Sequence, residues 1–201
     1  QEGLREEVKK EIGEIDMELY RQSEADIRAW LDTMIERYGK YRVYPDYSTS
    51  SRSAQQFNDD RAFIILGNGY AAQTPAMFFR AYEMFGDRKY LGAALDFCDV
   101  LLEVQQPEGF FFHHLVSKAN GEARAVWAGD AADPGPTIDG PSPHRSAHAG
   151  ACPVLQDRNQ FPYFSLLLYA YRHTGEEKYL EGARRHADWI YGIQNPLEDS
   201  F

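Results

Sequence analysis

Two stretches of the chain decide the fold, because one repeats the other. Residues 81–107 read AYEMFGDRKYLGAALDFCDVLLEVQQP, and residues 170–196 read AYRHTGEEKYLEGARRHADWIYGIQNP. The two align without a gap at an offset of 89 residues, and ten of the 33 residues in 75–107 recur in the second copy. Self-similarity at a fixed period is typical of an array of like supersecondary units.

Each copy predicts a helical hairpin, over residues 75–107 and residues 162–196. The first helix of each is apolar nearly all round, so we expect it to be buried on most sides. Gly86 and Gly175 end these helices. The second helix is amphipathic, and Pro107 or Pro196 follows it. A buried helix followed by a half-exposed helix is what a two-layer arrangement of helices requires.

The flanking regions complete the prediction of one all-α domain over residues 1–201. Apolar residues at helical spacing predict N-terminal helices within 3–39. Residues 40–60 are aromatic and polar, as in a loop, and the apolar run 62–70 is predicted to be a helix that ends in glycines. Residues 112–160 form a connection of about 49 residues, far longer than the usual four to six, and we expect coil there.

The composition of the chain limits its partners. Its 201 residues include 21 Lys+Arg and 31 Asp+Glu, for a net charge of −10, which argues against general nucleic-acid binding. No apolar run is long enough to span a membrane. Two cysteines, Cys98 and Cys152, do not make a disulfide framework.

The hairpins, with Gly86-Asp87-Arg88-Lys89-Tyr90-Leu91 repeated as Gly175-Glu176-Glu177-Lys178-Tyr179-Leu180, resemble those of (α/α) toroids. This fold is common among carbohydrate-active enzymes: polysaccharide lyases, glycoside hydrolases and sugar epimerases. A full toroid has six or seven hairpins. The resemblance therefore implies a partial ring, completed by another chain, another copy or a missing portion of the same protein.

Two shorter motifs are similar to the family 10 pectate lyases. Residues 105–111, QQPEGFF, resemble their Gln-x-Pro-x-Gly-Gly-Trp stretch, with Phe110 and Phe111 in place of the second glycine and the tryptophan. Residues 57–60, FNDD, resemble a Phe-Asn-Asp-Asp stretch that comes after the Gln-x-Pro element in those lyases and before it here. The resemblance implies a glycan substrate, cleavage by β-elimination and a periplasmic or extracellular location.

The long connection holds the residues expected to act on such a substrate. In a lyase a base removes the proton beside a uronate carboxylate, and a cation neutralises that carboxylate. His144 and His148 are candidate bases, a role that a tyrosine can also serve, and Arg145 or Arg158 is the candidate neutraliser. The expected substrate-binding residues include aromatic and histidine side chains around the loop: Tyr70, His113, His114 and Trp127. Solvated loop histidines are the plainer interpretation, and zinc binding by the His144–His148 pair is a third.

The cluster Asn58-Asp59-Asp60-Arg61 has several interpretations. Asn58 or Asp59 would cap a helix that starts near Arg61. Asp60 would be a catalytic carboxylate in a hydrolase, with Asp59 and Arg61 binding substrate. Calcium would need more oxygen ligands than the cluster has. A glycoside hydrolase and a non-catalytic helical-repeat scaffold are therefore the alternatives to the lyase.

We expect the candidate site at one end of the hairpins. Connections that run from a second helix to the next first helix share one face of a toroid. The histidines of the long connection should therefore lie together. The Asp59–Asp60 cluster joins them if residues 62–66 begin an inner helix.

Overall fold

The computed structural model describes residues 17–45, 56–66, 69–111, 114–126 and 157–193. The helices are α1 Met17–Tyr38, α2 Gln73–Phe85, α3 Arg88–Val104, α4 Asp157–Thr174 and α5 Glu177–Ile193. The strands are β1 Gln56–Phe57, β2 Arg61–Ile65, β3 His114–Lys118 and β4 Ala123–Val126. Short 3₁₀ turns span Gly39–Tyr41 and Tyr70–Ala72. The described residues are mostly helical, as predicted, but they include a sheet that was not.

Both predicted hairpins are confirmed: α2 pairs with α3, and α4 pairs with α5. Gly86 ends α2 in the left-handed conformation, at φ 71°, and Gly175 has the same φ after α4. The backbone N–H of Gly86 donates to Tyr82, and that of Gly175 donates to Tyr171. Glycine adopts this conformation at little cost, so the same turn appears at the same place in both copies.

The two hairpins stand side by side in the same direction. Near the start of α4 the Tyr163 hydroxyl reaches Leu66, which precedes α2, and near its end His173 Nε2 lies 3.3 Å from Glu83 Oε1. The first helices α2 and α4 therefore run parallel. Their core positions are filled by large side chains such as Phe78 and Phe79, both fully buried.

The burial of α2 is less complete than its composition predicted. Ala76, Arg80 and Met84 form an exposed stripe along the helix, and Met84 is 62% exposed. Met84 is therefore apolar but does not pack in the core of the described residues.

The prediction of a helix over residues 62–70 is wrong. Residues 61–65 form strand β2, in which Ala62 and Ile64 are buried and alternate with half-buried Arg61 and Phe63. This alternation has the period of a strand rather than that of a helix. An apolar run this short is ambiguous when only its local pattern is read.

The predicted helix cap at Asn58 is also wrong, because the polar cluster forms a hairpin turn. Asn58 Oδ1 accepts a hydrogen bond from the Arg61 N–H at 3.0 Å, and the Asn58 N–H donates to the Arg61 carbonyl at 3.0 Å. Short polar side chains favour such turns for the same reason that they favour helix caps. The cluster therefore connects β1 to β2.

The long connection predicted as coil contains strands in its first part. β3 and β4 pair antiparallel through a turn at Gly121, whose φ is 87°. β3 also pairs with β2, so that the sheet order is β1-β2-β3-β4. The sheet packs against α3 and the turn after α1, since β4 contacts α3 and Ser117 donates to the Tyr41 carbonyl. Within the described part of the chain, no helix is both long and apolar enough for a membrane span.

Candidate functional site

One end of the sheet meets the beginnings of helices α2 and α4. His114 of β3 pairs with Ile65 of β2 on one side and with Val126 of β4 on the other, so the three residues lie at the same end of the sheet. The next residue after Ile65, Leu66, accepts a hydrogen bond from the Tyr163 hydroxyl at 2.6 Å. The turn Tyr70–Ala72 then leads directly into α2. We call this region, formed by Ile65, Leu66, His114, Val126 and Tyr163, the helix-entry end.

Two predicted binding residues lie at the helix-entry end. The backbone of His114 begins β3 at this end of the sheet, and that of Tyr70 is in the turn before α2. The other predicted residues of the long connection lie outside the described residues: His113, Trp127, His144, Arg145 and His148. The segment 127–156 that carries most of them follows Val126 and precedes Asp157. Val126, which precedes the segment, therefore lies at the helix-entry end, and Asp157, which follows it, begins α4 about 9 Å along the helix before Tyr163.

Asp59, Asp60 and Arg61 lie at the other end of β2. About 13 Å of strand separates Arg61 from Ile65, at about 3.3 Å per residue. The backbone carbonyl of Asp59 accepts from Lys40 Nζ at 3.2 Å, and that of Asp60 accepts from the Ala119 N–H at 2.8 Å. Both aspartates are exposed. The structure therefore does not bring this cluster together with His114.

The motif at residues 105–111 clamps the first hairpin to the second. Gln105 Nε2 donates to the Gly182 carbonyl at 2.9 Å and to the Gly109 carbonyl at 3.1 Å. Gln105 Oε1 accepts from Arg185 Nη2 at 2.7 Å. All hydrogen-bonding atoms of the amide group are therefore used between protein groups. In this chain the glutamine of the pectate-lyase-like motif has a structural role.

His186 is the residue that sequence reasoning missed. It is fully buried in α5, and its Nδ1 lies 2.8 Å from the Gly109 carbonyl. A carbonyl only accepts, so Nδ1 carries the proton and Nε2 presents a lone pair, which has no hydrogen-bond partner among the described residues. Burial lowers the pKa of His186. In the repeat it replaces Phe97, and a polar residue at a core position was the signal that could have identified it.

Aromatic side chains surround His186 beneath the helix-entry end. The ring centre of Phe111 lies 5.1 Å from His186 and 5.7 Å from Tyr163. Trp189 stacks on His186 at 5.8 Å and contacts Phe110 at 5.7 Å. These contacts join the motif at residues 105–111 to the start of α4. The helix-entry end therefore lies on a packed cluster of aromatic side chains.

The described part of the chain contains no group of three or more His, Cys, Asp or Glu side chains arranged to hold a metal ion. Cys98 is a buried free thiol. No protein-family model, curated protein or solved structure matches this chain.

Proposed function

We propose that the protein is a carbohydrate-active enzyme of (α/α)-toroid type that acts at the helix-entry end. The reaction proposed is β-elimination on a polysaccharide that contains uronic acid. The main supporting observation is that segment 127–156, with His144, Arg145 and His148, leaves the sheet at Val126 in this region and rejoins the fold at the start of α4, about 9 Å along the helix from Tyr163. Binding and catalytic residues are commonly carried on long connections held by a rigid scaffold.

The helix-entry end suits a polyanionic glycan. The N-terminal end of α2 lies there, α4 begins about two turns before Tyr163, and the helix dipole favours negative charge at such ends. The chain as a whole carries a charge of −10. A local positive potential is therefore needed to attract an anionic substrate to an acidic protein. The two helix ends and Arg145 would supply it.

The proposed chemistry needs a base and a carboxylate neutraliser. Arg145 pairs with the uronate carboxylate and makes the neighbouring C–H more acidic. His144 or His148 removes that proton, the electron pair forms a C=C bond, and the glycosidic oxygen leaves with its sugar. The sugars on either side of this bond are bound by Tyr70, His113, His114 and Trp127. An aromatic face such as that of Trp127 stacks on the C–H surface of a sugar ring.

A lyase screen tests this proposal directly. Purified protein is incubated with uronic-acid polysaccharides, and the ultraviolet absorbance of the new C=C bond is followed. Changing His144 or His148 to Ala should lower the rate roughly 10²- to 10⁴-fold, the usual effect of removing a general acid or base, with an unchanged melting temperature. The Asp60→Asn variant is the matched control, because Asp60 lies at the opposite end of β2. Full activity in the His144→Ala, His148→Ala double variant would refute the proposed mechanism.

The same assay separates the alternatives. The adjacent exposed carboxylates of Asp59 and Asp60 favour a glycoside hydrolase as the second candidate. A hydrolase would release reducing ends without the new absorbance and would lose activity in Asp60→Asn. The stacked hairpins also suit a binding scaffold, which would bind glycan or protein without cleavage. Loss of activity on chelation, restored by calcium, would establish a calcium requirement.

A further inference from the structure

The same contact joins α1 to α3 and α3 to α5, three helices that we call the outer helices. In the first instance, Asp32 of α1 accepts from Lys89 Nζ at 2.8 Å and from the Tyr90 hydroxyl at 3.0 Å. Lys89 and Tyr90 form the first turn of α3. The carboxylate of Asp32 on α1 therefore binds two side chains in the first turn of α3.

The second instance has the same chemistry one hairpin further on. Asp99 of α3 accepts from Lys178 Nζ at 2.8 Å and from the Tyr179 hydroxyl at 2.9 Å. The hydrogen bond to Asp99 raises the pKa of Lys178, while burial and then Asp99 raise that of Tyr179. The Lys178 side chain is 46% exposed, so solvent weakens its ion pair. The bond from the buried tyrosine to a charged acceptor is the stronger part.

Two further contacts complete this docking of α5 on α3. An added Cβ at Gly182 would lie 2.3 Å from the end of the Leu102 side chain, so the glycine lets the two helices approach closely without displacing that side chain. Gln105 then binds the Gly182 carbonyl and Arg185. Three residues on α3 and at its C-terminal end therefore contact α5: Asp99, Leu102 and Gln105.

The exposed face of α5 carries the same series at the 89-residue offset. Asp188 replaces Asp99, Tyr191 replaces Leu102, and Gln194 follows in the sequence at the place of Gln105. Tyr191 is 79% exposed, and Asp188 is exposed with no ion pair or hydrogen bond to any described residue. Asp188 and Tyr191 thus present at the surface the two repeat positions through which Asp99 and Leu102 contact α5.

We propose that this face of α5 docks a further helical hairpin of the same repeat, whose second helix begins with Lys-Tyr. Such a helix also has a small residue four positions after the lysine, as Gly182 follows Lys178, to pack against Tyr191. A second copy of this chain does not supply the contact. Its Lys89-Tyr90 and Lys178-Tyr179 pairs are already engaged, and Tyr41 of its remaining Lys-Tyr pair donates to Asn58. The surface lies along the side of α5 and does not depend on the glycan site.

The test uses the chain's own hairpin as the probe. The full chain is extended with a Gly/Ser linker of about 15 residues and a second copy of residues 157–196. Such a linker has a root-mean-square length of about 20 Å, and packed helices lie about 8–10 Å apart. Hydrogen exchange of the α5 amides in residues 177–193 of the original copy is then compared with that of the unextended chain.

Docking should slow exchange of these amides by about tenfold in the extended chain, as a hydrogen bond to a charged group would. Asp188→Asn should remove most of that protection in the extended chain and leave the unextended chain unchanged. Glu181→Gln is the matched control. It changes an exposed carboxylate on the same helix, and its counterpart in the first hairpin is Gly92, at which an added Cβ would contact nothing.

Three results would overturn the proposal. The extended chain could show no added protection, or Asp188→Asn and Glu181→Gln could reduce it equally. The unextended chain could also sediment as a dimer that Tyr191→Ala dissociates, in which case a second copy covers this face.

Discussion

The strongest test of the architecture is Gly109→Ala, because Gly109 lies where the first hairpin touches the second. Its φ is 103°, and an added Cβ would lie 2.1 Å from the Arg185 carbonyl oxygen and 2.5 Å from its carbon. Both obstacles are backbone atoms, which cannot move aside as a flexible side chain can. The Gly109 carbonyl also accepts hydrogen bonds from His186 and Gln105, so any shift of this residue loosens the clamp.

The expected cost combines two effects. Holding alanine at a positive φ costs about 1–3 kcal/mol, and overpacking against a fixed neighbour costs about 1–3 kcal/mol. We expect Gly109→Ala to lower the free energy of unfolding by about 4 kcal/mol. For a chain of this length each kcal/mol corresponds to about 2–4 °C, so the melting temperature should fall by about 8–16 °C.

Gly92→Ala is the matched control and has the opposite expected sign. Gly92 is exposed in the middle of α3, and an added Cβ would contact nothing within 4 Å. Alanine is favoured over glycine in a helix interior by about 0.5–1 kcal/mol, so this variant should be slightly more stable than the parent.

Urea unfolding followed by far-ultraviolet circular dichroism measures both variants against the parent chain. A Gly109→Ala variant with the parent's unfolding midpoint would refute the close packing of residues 105–111 on α5. Equal destabilisation by both substitutions would refute the assigned difference between the two glycines.

Three further predictions concern the contacts between the hairpins. In a double-mutant cycle, Asp99→Asn and Tyr179→Phe should show a coupling of about 1–2 kcal/mol in urea unfolding, because they share one hydrogen bond; additive effects would contradict that bond. Burial lowers the pKa of His186, so its contribution to stability is complete above the unfolded value of about 6.5 and declines as the pH falls below it. The unfolding free energy should therefore fall between pH 7 and 5, less steeply in His186→Gln, and equal slopes would count against the buried neutral histidine. Burial also raises the pKa of the Cys98 thiol, so iodoacetamide should alkylate Cys98 only after unfolding, as mass spectrometry of native and urea-treated protein can show.

The helical hairpins could be predicted because their signals are local. Gly86 and Gly175 end helices in the same way wherever they occur, and the apolar spacing of residues 88–104 has the helical period over five turns. Each signal acts within a few residues of the chain. Because the same glycine and apolar pattern recurs at an offset of 89 residues, each copy supports the prediction of a hairpin in the other.

The strands could not be predicted in the same way, because a strand is stabilised by residues distant in sequence. Ala62 pairs with Ser117, and Leu115 pairs with both Ile64 and Ala125. Nothing within residues 61–65 specifies those partners. The short apolar run was therefore open to either period, and the helical interpretation was wrong.

The candidate site was predictable in part. The length and composition of the long connection singled out its histidines, and that prediction stays a prediction, because His113, His144 and His148 lie outside the described residues. The Asp59–Asp60 cluster attracted attention for its charge, but the turn it forms places it at the far end of β2. His186 was missed, since only the structure shows that this position faces Gly109 and Phe111.

The sequence by itself determined the repeating unit: two hairpins, their glycine turns, and the amphipathic second helix of each. These features depend on backbone conformation and on periodicity, which neighbouring residues set. The tertiary structure alone decided which carboxylates join the outer helices, where the polar turn lies, and which strand and helix ends lie together at the helix-entry end. A charge or a histidine has the same identity in any fold, but its partner depends on the residues that packing brings within about 3 Å.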